Sequence, residues 1–166
     1  MYVTHDHHEA LILAHVLAVM DRGRIEQVGT PEEVYDTPKN IFVAGFLNLH
    51  TGTPPFSLID ARCMPEGLGL GNAWVGVRPE DVHISSEGGE GSVRGLVADK
   101  VRLPLENTTL FTIRVGEHEV HAQTSGDENH LPGDRVWLTF ERYHLFEKES
   151  GLRLRSHQAT DHAPGR

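Results

Sequence analysis

Apolar and polar positions change their period near residue 58, and the change divides the chain in two. Before that point the pattern is mixed. Tyr2-Val3-Thr4 is a short β-prone piece, and Asp6 stands where it would cap a helix in which Ala10, Leu11 and Ala14 recur at helical spacing. Leu17-Ala18-Val19-Met20 is an unbroken apolar run, predicted as a buried strand. Asp21-Arg22-Gly23-Arg24 supplies a tight turn, and Ile25 to Val28 the returning strand. Thr30-Pro31-Glu32-Glu33 is a helix start. Thr30 is the N-cap, Pro31 takes the first helical position, and Glu33 closes a capping box. Pro38 ends that helix, and a second short one follows with Phe42, Val43, Phe46 and Leu47 along one side.

Residues 51–58 read as a linker, and beyond it the period is two. In 92–103 the odd positions Val93, Val97, Val101 and Leu103 are apolar, with Arg94, Lys100 and Arg102 on the other face. Phe111, Ile113 and Val115 alternate with Thr112 and Arg114, and Gly116-Glu117 is placed as the hairpin turn into 118–123. Val136, Leu138 and Phe140 alternate with Arg135, Trp137 and Thr139. Short alternating strands between Gly, Pro and Asp turns predict a small antiparallel barrel or sandwich. The fold class is therefore mainly β, preceded by a small α/β piece. The predicted organisation is 1–50, a linker at 51–58, the β domain at 59–157 and a polar tail at 158–166.

Composition narrows the function. One cysteine, Cys63, excludes an intrachain disulfide framework and fits a reducing compartment. A net charge of −9 and 7% aromatic residues oppose nucleic-acid binding, which needs phosphate-neutralising cations and stacking rings. No apolar run approaches the roughly 18 residues that suggest a membrane span.

The chemistry-bearing candidates are few. His5 stands between a β-prone piece and a helix, a place from which an imidazole can reach a phosphate or a water. The cluster His5, Asp6, His7, His8, Glu9 is not a zincin motif, because Ile12 occupies the position of its second histidine, and no metal site is predicted. No Gly-x-x-x-x-Gly-Lys-Ser/Thr loop occurs. Gly88-Gly89-Glu90-Gly91 is glycine-rich but acidic, which repels phosphate. In Arg78-Pro79-Glu80-Asp81, Pro79 fixes a turn and an acid is expected to pair with Arg78 or cap the turn; a regulatory contact is the other reading. Trp137 is read either as a dimer contact or as cover for a barrel edge.

Several stretches run in a familiar order: Tyr2-Val3-Thr4-His5-Asp6, Leu17 to Ile25, Gln27 to Tyr35, and Pro38 to Phe46. They resemble the switch-histidine loop and last helices of the ATP-binding subunit of ABC importers, of the maltose-type sugar, polyamine or iron groups. Gly76-Val77-Arg78-Pro79-Glu80-Asp81-Val82, Pro132 to Leu138 and Leu145-Phe146 resemble the regulatory domain of the same subunits, an oligonucleotide-binding-type (OB, or TOBE) barrel. His7, where Gln is usual, and His15-Val16, in place of Asp-Arg, depart from the family.

The resemblance implies that His5 contacts the γ-phosphate of ATP and the attacking water in the full-length subunit, and that Arg78, Pro79, Glu80 and Asp81 mark a regulatory motif. The Walker A, Q-loop, signature and Walker B segments are absent from these 166 residues. No cofactor is therefore expected in this piece, which would be inactive alone, while ATP and Mg²⁺ serve the full-length family. The implied setting is cytoplasmic, on the inner face of the membrane, with permease subunits and a second copy as partners. A small oxyanion-binding barrel and a single-strand nucleic-acid binder are the ranked alternatives.

Overall fold

A computed structural model describes residues 7–47, 56–65, 71–126 and 128–158. Its first part contains α1 (His7–Leu13), β1 (Leu17–Asp21), β2 (Arg24–Gly29), α2 (Pro31–Asp36) and α3 (Ile41–Phe46). Arg22 and Gly23 both take positive φ, 46° and 79°, the backbone that a two-residue hairpin between twisted strands requires. The capping box forms as expected. The Thr30 hydroxyl accepts from the Glu33 N–H at 3.2 Å, and the Thr30 N–H donates to the Glu33 carboxylate at 2.9 Å. Asn40 caps α3 by accepting from the Val43 N–H at 2.9 Å.

Val19, Val34, Val43 and Leu47 close a small core, with Leu11, Leu17, Tyr35 and Phe46 packed on it. Two expectations change here. In the run Leu17 to Met20 only Val19 is buried, because the hairpin is a ribbon with one covered face. On α3 the buried side is Val43, Ala44 and Leu47, which turns Phe42 outward.

Among the described residues the second part holds nine antiparallel strands: β3 (Ser57–Asp60), β4 (Ala73–Val77), β5 (Val82–Ser85), β6 (Val93–Leu103), β7 (Thr108–Val115), β8 (His118–Ser125), β9 (Arg135–Phe140), β10 (Arg142–Glu147) and β11 (Arg153–Gln158). They form a four-stranded sheet, order β11-β10-β4-β3, and a five-stranded sheet, order β5-β9-β6-β7-β8. Ile59, Val75, Val77, Phe111, Ile113, Val120, Leu138 and Leu145 belong to one core shared by the two sheets. The edge strands β3 and β8 meet, where the Ser57 hydroxyl accepts from the His121 N–H at 3.0 Å. This is the OB-like barrel. Ser57 and Leu58, read as the end of a linker, are instead the first residues of β3.

The alternation of β7 and β9 holds, but that of β6 breaks. A bulge between Val97 and Asp99 shifts the register, so that Val97 opposes Ile113 whereas Lys100, not Val101, opposes Phe111. One extra residue flips every later side chain to the other face. Val101 is consequently exposed, and the Lys100 ammonium lies 5.8 Å from the centre of the buried Phe111 ring.

Candidate functional site

The chain leaves one sheet for the other at two adjacent places. Arg78 to Asp81 carries it from β4 to β5, with Pro79–Asp81 as a 3-10 turn, and Glu141 carries it from β9 to β10. The Glu141 N–H donates to the Asp81 carbonyl at 2.9 Å, so the two crossings are tied together. At the first, Arg78 reaches the C-terminal ends of α2 and α3, and next to the second, Arg142 reaches Asp36 at the end of α2.

Arg78 is 3% exposed. Its guanidinium donates from Nη1 to the Leu47 carbonyl at 3.2 Å and from Nη2 to the Tyr35 carbonyl at 3.0 Å. Both acceptors sit at helix ends, where carbonyls lack intrahelical partners. The guanidinium carbon lies 3.6 Å from the centre of the Tyr35 ring and 5.8 Å from that of Phe56. A planar fork that stacks on a ring while donating in its own plane is a task for arginine rather than lysine. Burial pulls the Arg78 pKa below its ordinary value, against the field of Tyr35, Glu80 and Asp81.

The acids of the motif do not pair with Arg78 as expected. Glu80 accepts a hydrogen bond from the Tyr35 hydroxyl. The Tyr35 pKa is pushed up, first by burial and, beyond the opposing Arg78 charge, by that bond. Asp81 accepts from Arg142 Nε at 2.9 Å, and Arg142 Nη1 donates to Asp36 at 3.1 Å. Burial raises the Asp81 pKa and Arg142 opposes it. Arg142, held by Asp81, is raised. Every member of the motif's charged set therefore reaches the α2 end, directly or through one neighbour.

His144 completes the cluster at 8% exposure, with Nδ1 2.8 Å from the Ser156 hydroxyl and its ring stacked 6.4 Å from Phe56. Burial, then the charges of Arg78, Arg153 and Arg142, push its pKa from 6.5 down to about 4. A second tie lies at the far end of α3. The Arg153 N–H donates to the Lys39 carbonyl at 2.9 Å and the Ile41 N–H to the Gly151 carbonyl at 3.0 Å.

Sequence reasoning singled out Arg78, Pro79, Glu80 and Asp81, and the structure gathers them at this junction. It missed Tyr35, Asp36, Arg142 and His144, which lie 42 or more residues from the motif on one side or the other. Their only signal was an unexplained polar residue inside an apolar surround, as in Tyr143-His144-Leu145. His5 lies outside the described residues. Among the described residues no group of three or more His, Cys, Asp or Glu could hold a metal ion, and no helix is long and apolar enough to cross a membrane.

Comparison with known proteins gives this junction a context. Residues 75–146 match the TOBE domain. The chain is 35% identical, over 93% of its own length, to the uncharacterized ABC transporter ATP-binding protein y4oS of Sinorhizobium fredii, of which it covers 45%. It is 36% identical, over 92% of its length, to the sn-glycerol-3-phosphate import ATP-binding protein UgpC 1 of Rhizobium etli, covering 45% of that protein. UgpC of Shigella sonnei is 34% identical over 93% of the chain, with 47% of it covered. The chain thus spans about half the length of these relatives. Residues 75–146 are thus similar to the TOBE domain, in a chain related over more than nine-tenths of its length to the C-terminal part of ABC transporter ATP-binding proteins.

Proposed function

We propose that this chain is the C-terminal regulatory portion of the ATP-binding subunit of an ABC-type solute importer, with residues 1–50 as the tail of the nucleotide-binding domain and 57–158 as the regulatory barrel. The observation that carries the reading is the buried Arg78 fork. It fastens the helix ends of the first part to the sheet crossing of the second, so a displacement of either moves the other. Ile12, Leu13, Val16, Met20, Ile25 and Val28 leave an apolar surface on α1, β1, β2 and the turn between α1 and β1. In relatives about twice as long, the remainder of the nucleotide-binding domain would cover it.

In the assembled subunit, His5 acts on the γ-phosphate and the attacking water, ATP and Mg²⁺ being held by segments outside this sequence. The subunit works as a homodimer on the inner face of the membrane, bound to permease subunits. Two relatives carry sn-glycerol-3-phosphate import in their names, which makes that solute the first to try.

The test joins the chain to the upstream half of the Rhizobium etli relative and assembles the product with the permease. His5→Ala should abolish ATP hydrolysis and uptake, and Arg78→Met should lower the solute carried per ATP hydrolysed. Unchanged coupling in Arg78→Met would remove the regulatory role of the junction. Tight Mg-ATP binding by the 166-residue chain alone would contradict the division of labour.

A further inference from the structure

The outer face of the five-stranded sheet carries charge that the junction does not use. Register places Arg94 opposite Trp137, and Leu96 opposite both Arg135 and Arg114. Three neighbouring strands thus present Arg135, Leu96 and Arg114 in one row, with Trp137 and Arg94 in the next row of the same face. These five residues line a shallow concavity of about 650 Å³. The three arginines are exposed, and so is Leu96, at 37%. Glu119 is the register partner of Arg114, yet no ion pair within 4 Å forms at Arg94, Arg114 or Arg135 among the described residues. Like charges gathered on one sheet face repel. Here they are gathered on a chain of net charge −9.

The surroundings hold this arrangement in place. The Arg94 guanidinium carbon is 4.7 Å from the centre of the Trp137 ring, and a Cβ added at Gly88 would meet that ring at 2.6 Å. Trp137, wedged between the Gly88 loop and Arg94, orients a guanidinium and is not an open platform for a planar ligand. Arg114 and Arg135 spring from strands two apart in the sheet, roughly 10 Å at ordinary strand spacing. The concavity is too open to enclose a small molecule, which a binding pocket normally buries by about 70–90%.

We propose that this face docks an acidic segment of a protein partner, one that sets carboxylates against Arg94, Arg114 and Arg135 and an apolar side chain on Leu96. Guanidinium forks take carboxylates in paired hydrogen bonds, and an apolar centre ringed by charge gives such a contact its register.

The probe is a fluorescein-labelled peptide of three Glu-Leu-Glu-Glu repeats, titrated against the full chain by fluorescence polarisation. Saturable binding is expected in low salt, weakening about tenfold or more when salt is raised well above physiological strength. R114E/R135E should weaken binding at least about tenfold, and R22E, a charge reversal on the distant hairpin, should not. A thermal melt of each variant checks folding. Should the double variant fail to fold, R135Q alone is expected to cost about threefold. Absence of saturation in low salt, or equal binding by R114E/R135E or R135Q, overturns the proposal. So does citrate or phosphate competing as well as unlabelled peptide, which would make this a small-anion site. Arginine-dependent binding to phosphatidylglycerol vesicles in preference to the peptide would make it a membrane surface. A halved light-scattering mass for R114E/R135E would make it a contact between copies.

Discussion

Arg78 and Tyr35 are joined twice: the guanidinium lies 3.6 Å over the ring, and its Nη2 donates at 3.0 Å to the same residue's carbonyl. Removing the fork leaves the carbonyls of Tyr35 and Leu47 without that donor in a buried place. Arg78→Met should therefore cost about 2–4 kcal/mol by urea denaturation. Arg78→Lys should recover only part of that, because an ammonium cannot stack on the ring and reach both carbonyls. Full stability in the lysine variant would mean that charge alone matters here.

His144 sets a pH dependence. Its folded pKa, about 4, lies below the ordinary 6.5, so the unfolded chain binds the proton more readily. Its contribution is present above pH 6.5 and is lost as pH falls toward 4, about 3 kcal/mol across the full window. His121, also lowered by burial, adds in the same direction. Asp60, held well below the usual carboxylate range by Arg62 and Lys148, acts only in more acid solution. Denaturation midpoints measured between pH 7 and 4.5 should fall, and His144→Gln should flatten the curve.

Two glycines should respond with opposite sign. A Cβ at Gly76 would lie 2.2 Å from the Phe56 ring and 2.8 Å from Phe146, so Gly76→Ala should cost about 1–3 kcal/mol through overpacking. Gly45, inside α3, has open space around its missing Cβ. Gly45→Ala should stabilise by about 0.5–1 kcal/mol through helix propensity. Thermal melts of the two variants check both signs.

The buried Asp60 carboxylate takes Lys148 Nζ at 2.7 Å and Arg62 Nη2 at 2.6 Å, the lysine being largely sheltered. Lys148→Met should cost about 1–2 kcal/mol, since it leaves a sheltered carboxylate short of a donor. Breaking the solvated Arg22–Asp21 pair, 3.9 Å apart, should give no measurable change. Similar losses at the two sites would show that burial does not set the difference.

Local chemistry was legible in the order of residues. Thr30-Pro31-Glu32-Glu33 declared its capping box, Arg22-Gly23 and Gly116-Glu117 their turns, and Phe111 to Val115 the face it buries. Each rests on contacts within a few residues, so spacing suffices. Only the tertiary structure decided the rest. The bulge after Val97 reversed the faces of Val101 and Lys100, an event of strand register that alternation cannot contain. Strand β11 follows a brief alternation, Leu152-Arg153-Leu154-Arg155, whose leucines stay exposed, and it exists because β10 offers it a paired edge. Arg78 reaches 43 positions back to Tyr35, and Arg142 reaches across 106 to Asp36. A buried charge chooses its partners by which carbonyls and carboxylates the folded chain delivers. The sequence could name Arg78, but only the packing of α2 and α3 against the sheet crossing could say what it holds.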